Sequence, residues 1–70
     1  MSLAKVQEEI IGLMALIAQK KTEEAEVKIE QVIEVIHEGL DLCTNDEELV
    51  HWGKFLKIVE ALQDKLKDNE

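Results

Sequence analysis

"IIGLMALIA", residues 10–18, is an unbroken apolar run inside a chain of 70 residues whose formal charge is −8. Its reading decides between a membrane segment and a helix folded into a protein. A helix that crosses a bilayer needs about 20 apolar residues, and this run ends far short of that. Glu8 and Glu9 precede it, where a secretory signal requires positive charge, and no small-residue cleavage site follows. Neither an anchor nor a signal peptide is expected, and no membrane partner.

Extended outward, the run becomes one face of an amphipathic helix over about residues 3–19. Leu3, Val6, Ile10, Leu13 and Ile17 recur at spacings of three and four, with Met14 alongside, which places them on one stripe. A second stripe, Ala4, Ile11, Ala15 and Ala18, lies next to it. Small residues at heptad-like spacing allow another helix to approach closely. The two stripes together cover more than half the circumference, so this helix needs cover on two sides. Gly12 and Leu16 belong to neither stripe.

The rest of the chain reads as helix too. Proline is absent, glycine occurs three times, and Ala, Leu, Glu, Lys, Gln and Ile dominate without any period-two alternation. A second helix is predicted over about residues 23–40, with Ala25, Ile29, Val32, Ile33, Ile36 and Leu40 inward. A third is predicted over about 46–67, with Trp52, Phe55, Val59, Leu62 and Leu66 inward, joined by Leu49 and Leu56. Val27, Val35 and Leu42 fall off the face of the second helix, and Val50, Ile58 and Ala61 off that of the third.

The joins are marked unequally. Between the last two helices, Gly39 offers a left-handed residue near a helix end, and "TNDEE" (residues 44–48) offers Thr44, Asn45 or Asp46 as N-cap. Both Thr44…Glu47 and Asn45…Glu48 have capping-box spacing. "QKKTEE" (residues 19–24) holds no glycine or proline, so a continuous helix through Lys20–Thr22 remains open. The charge order favours a break: Lys20 and Lys21 close one helix, Thr22 caps the next, and Glu23 and Glu24 open it. The expected fold class is therefore all-α: a single domain over residues 1–70, a three-helix unit that assembles as a homodimeric bundle. A chain this short buries only about 60% of its unfolded surface, and small scaffolds commonly add a second subunit. The predicted dimer interface is Ala4, Ile11, Ala15 and Ala18.

Charge and cysteine content narrow the function. With 16 acids against 8 bases, the chain repels phosphate backbones and shows no basic stripe, so no nucleic-acid partner is expected. A single cysteine, Cys43, excludes an internal disulfide and suits a reducing, cytoplasmic setting. It also closes an apolar stripe amid carboxylates, surroundings that do not favour a thiolate nucleophile. No glycine-rich phosphate loop is present, so no enzyme and no cofactor is expected.

Two acidic patterns bear on chemistry. Glu34…His37 and Glu48…His51 are both Glu-x-x-His, the spacing that di-iron carboxylate bundles use on two of their helices. They make Glu34, His37, Glu48 and His51 the candidate ligands of an alternative, metal-binding bundle with oxidase-like or storage chemistry. Against it, Glu34 points away from the apolar face and Glu48 has a capping position. Glu23…Glu26 and Glu38…Asp41 resemble in outline the E-x-x-E, E-x-x-D magnesium motif of helical nucleotide pyrophosphatases of the MazG type. The intervening stretch is short for that family, and the basic and aromatic residues that would hold a nucleotide are missing. The expected function is instead a non-enzymatic protein–protein interaction module, of the adaptor, inhibitor or accessory-regulator kind, acting as a homodimer on a protein partner.

Overall fold

The computed structural model describes residues 3–68, which form three α-helices and, among the described residues, no strand. They are α1 (Leu3–Ala18), α2 (Thr22–Leu42) and α3 (Asp46–Asp68). At 1.5 Å per residue the 23-residue α3 is about 34 Å long, close to the 38 Å long axis of the molecule. Short turns at each end make successive helices antiparallel. α2 packs against both neighbours, while the α1–α3 seam is the thinnest of the three.

The inward stripes meet as one core. Val6, Ile10 and Leu13 come from α1; Ala25, Ile29, Val32 and Ile36 from α2; Trp52, Val59 and Leu66 from α3. Leu3, Ile17, Ile33, Phe55, Leu56 and Leu62 pack around them, half-buried. Four positions depart from the expected faces. Met14 and Leu49 are exposed at 44% and 45% rather than inward, whereas Leu16 and Val35 pack against the core. The reason is the same for each: period shows where a face is centred, but its edges are set by where the neighbouring helices lie.

The break between α1 and α2 is real and its construction differs from that expected. Lys20 takes the left-handed conformation, with φ 62°. The amide of Lys20 donates to the carbonyl of Ile17 and that of Lys21 to Leu16, both at 3.0 Å, the paired bonds of a Schellman ending. Thr22 is not the cap but the first residue of α2. Lys21 holds the cap position, with φ −86° and ψ 69°, and offers no side-chain capping bond.

At the second join, Asn45 is the cap. Its Oδ1 accepts the amide of Glu47 at 2.8 Å, and its carbonyl accepts Leu49 N at 3.0 Å, the first bond of the helix. Asp46, Glu47 and Glu48 then fill the first turn, complementing the positive end of the helix dipole. Gly39 does not end α2, which continues through it to Leu42, with Cys43 extended beyond. Its role is tertiary: a Cβ there would stand 2.5 Å from Cε2 and Cζ2 of Trp52. Trp52 lies in this notch, 5% exposed, with the Phe55 ring edge-on to it at 6.4 Å and 87°.

Candidate functional site

The four residues Ala4, Ile11, Ala15 and Ala18 all stand exposed on the outer side of α1. Ile11, at their centre, is 60% exposed. Met14, displaced from the core, borders them. The face arises because α1 is apolar over a wider arc than α2 and α3 together can cover. Gly12 and Leu16, which neither stripe explained, turn to the covered side: Leu16 packs on the core, and a Cβ at Gly12 would meet Lys28 Cε at 3.9 Å.

Lys28 seals that side of α1. Its stem passes over Gly12 and its ammonium pairs with the carboxylate of Glu9, which Lys5 Nζ also approaches at 3.9 Å. The hydrogen bond from Lys28, followed by its charge, holds the Glu9 carboxyl below the ordinary glutamate range. α1 therefore has one edge clamped to α2 by charge and another left open.

The open edge faces α3. Between the C-terminal halves of α1 and α3 the surface sinks into a groove of about 700 Å³, floored by Met14, Ile17, Leu62 and Leu66. Leu62 and Leu66 come from the inward face of α3 and Ile17 from that of α1, so the groove floor is continuous with the core. No residue pattern within one helix announces this groove, because Lys20 and Lys65 on its rim are brought together only by the fold.

The Glu-x-x-His residues lie toward the opposite end of the bundle. Glu34, His37, Glu48 and His51 are all exposed, and among the described residues no group of three or more His, Cys, Asp or Glu side chains gathers where it could hold a metal ion. Glu48 borders a cleft of about 450 Å³ with Glu38, Gly39, Cys43 and Trp52. Cys43 is half-buried and its Sγ–H donates to the carbonyl of Asn45 at 3.1 Å, so the thiol serves the turn. Glu23…Glu26 and Glu38…Asp41 share α2, which sets the two pairs about 22 Å apart along one helix.

The fold and this surface define an all-α three-helix unit with one incompletely covered helix. No helix among the described residues is long and apolar enough to cross a membrane. Comparisons of the chain with protein-family models, with curated proteins and with solved structures find no match.

Proposed function

We propose that this chain is a small, acidic, non-enzymatic protein–protein interaction module that acts as a homodimer, of the adaptor, inhibitor or accessory-regulator kind. The observation that carries the reading is the outer face of α1: Ala4, Ile11, Ala15 and Ala18 are uncharged and exposed on a helix whose inward face is packed and whose α2 edge is clamped by charge. Removing apolar surface from water stabilises association by about 25 cal/mol per Å² before entropic costs. Small side chains at Ala4, Ala15 and Ala18 let a second backbone come close, so that Ile11 is buried between the copies. Two-fold pairing of this face with itself closes the assembly, which an unmatched contact would not. The acids of α2 stay outside, where they keep the dimer soluble and select a protein partner by charge.

Native mass spectrometry tests this directly. The parent protein is expected as a dimer and Ala15→Glu as a monomer, because the new carboxylate would be buried without a partner. A parent protein that stays monomeric at micromolar concentration, or a variant that stays dimeric, defeats the assignment of this face.

A further inference from the structure

The groove between α1 and α3 has a chemistry of its own. Among the described residues, the charged side chains that line it are Lys20 and Lys65. In a chain with 16 acids against 8 bases, the polar residues of this opening are thus two lysines and the neutral Thr22.

The bias continues on both helices. On α3 the exposed positions His51, Lys54, Ile58, Ala61 and Lys65 follow one another at spacings of three and four without an acid, until Asp68 ends the row at the last residue of the helix. On α1 the exposed residues at the groove are Met14 and Ala18, both uncharged; Ala4 and Ile11, further round, belong to the outer face. At 100° per residue the α3 row stays on one side of its helix, and Lys65 places it beside the groove. The acids turn elsewhere, above all onto the exposed side of α2 with Glu30, Glu34, Glu38 and Asp41.

Lys20 supplies an independent observation. A non-glycine residue in the left-handed region costs about 1–2 kcal/mol, and glycine is the ordinary occupant of this position in a Schellman ending. The chain holds a cation there instead, on the rim of the groove, at φ 62°. Local strain of this kind points to use of the side chain.

We propose that the α1–α3 groove binds an amphipathic helix of another protein, whose apolar stripe is flanked by acidic residues that pair with Lys20 and Lys65. The proposal rests on the interaction-module reading and adds to it the chemistry of the partner. Apolar side chains at i, i+3 and i+4 of the incoming helix enter between Met14 and Leu62. Met14, unbranched and polarizable, adapts its shape to them. Carboxylates on the flank meet a rim from which other carboxylates are absent, which sets orientation and speeds encounter. The acidic helix of this chain is α2, but its apolar stripe of Ala25, Ile29, Val32 and Ile36 is already buried in the chain's own core, so it has none to offer the groove of a second copy. The fitting helix therefore belongs to a different protein.

The test uses two synthetic 18-residue peptides with the same leucine stripe, one flanked by glutamates and the other by lysines. Each is titrated into the full chain and followed by methyl NMR. The glutamate peptide is expected to give saturable shifts at Met14, Ile17 and Leu62, and to bind about tenfold or more tightly than the lysine peptide. Lys20→Glu with Lys65→Glu, both at exposed positions, should leave the circular dichroism unchanged and reverse that preference. Equal binding of the two peptides, absence of shifts, shifts centred elsewhere, or a preference unmoved by the double variant each overturn the proposal. So do groove shifts that follow dilution of the protein instead of added peptide, since a second copy would then fill the groove. Repeating the titration on Ala15→Glu, which lies outside the groove lining, separates the two readings. Peptide binding by the variant, with a parent that is itself monomeric, upholds the groove and removes the dimer; a dimeric parent, dissociated by Ala15→Glu, whose variant is indifferent to the peptide removes the groove alone.

Discussion

The α2–α3 and α1–α3 seams are made from similar residues and close to different extents. Across the first, the absence of a side chain at Gly39 lets α2 come down on the Trp52 ring, and the largest side chain in the protein is sealed. Across the second, Met14 and Ile58 remain exposed at 44% and 39%, and a groove reaches down to Leu62 and Leu66. The difference shows that apolar content does not by itself close a helix pair. Closure requires a matching of size, here an aromatic ring against a glycine notch, and α1 offers α3 no such match. What is left open keeps its apolar surface exposed.

The sharpest way to break the comparison is to empty the closed seam. Trp52→Ala should cost about 3–5 kcal/mol, the usual penalty for truncating a buried aromatic residue, read as a shift in the urea midpoint. A loss below about 1 kcal/mol would mean the seam is not the stronger of the two.

Filling the notch should come next. Glycine inside a helix is normally worse than alanine by about 1 kcal/mol, so helix propensity alone predicts that Gly39→Ala stabilises. With a Cβ at 2.5 Å from the ring, overpacking of about 1–3 kcal/mol is expected to prevail, with a red shift of Trp52 emission as the ring is displaced toward water. Gly53→Ala is the control, because a Cβ there meets nothing within 4 Å. It should stabilise by about 0.5–1 kcal/mol. The same sign for both substitutions would contradict the notch.

Lys20→Gly probes the turn beside the open seam. Relief of the left-handed backbone should raise stability by about 1 kcal/mol, measured by thermal or urea unfolding, while weakening the glutamate peptide. A stability loss would show that the lysine side chain holds the turn together.

The smallest effect concerns the clamped edge of α1. Since the folded Glu9 carboxyl sits below its unfolded value, the unfolded chain binds the extra proton. This contribution is complete above the ordinary glutamate range of about 4.3 and fades as the pH falls through the lowered folded value. Glu9→Gln should therefore flatten the acid limb of the stability profile and leave Lys28 without its carboxylate partner. An unchanged acid limb would show that the pair contributes nothing to folding.

Much of this architecture was legible in the residues. The start of α3 could be narrowed to Thr44–Asp46 because side-chain oxygens compete openly for helix amides, and the structure chooses Asn45. The break after α1 could be seen in the order of charges. Its device could not, since nothing about lysine announces a left-handed backbone. Gly39 was misleading for a related reason: local reasoning treats a late glycine as a helix end, whereas its use depends on a ring 13 residues further along the chain. That Ala4, Ile11, Ala15 and Ala18 share one face of α1 was readable, being periodic within one helix, whereas the exposure of Met14 beside them was not. The lysine rim was not, because Lys20 and Lys65 become neighbours only when α1 and α3 lie side by side.

Sedimentation velocity of the parent protein and of Ile11→Asp, across a dilution series, tests the central claim that the open side of α1 is an assembly surface. Ile11 is 60% exposed in the single chain, so the substitution should leave the helical content and monomer stability within about 0.5 kcal/mol of the parent. The account predicts a parent species of twice the chain mass that dissociates on dilution, and a variant of single chain mass at every concentration. A parent that sediments as a single chain throughout, or a variant indistinguishable from it in assembly, would contradict the claim.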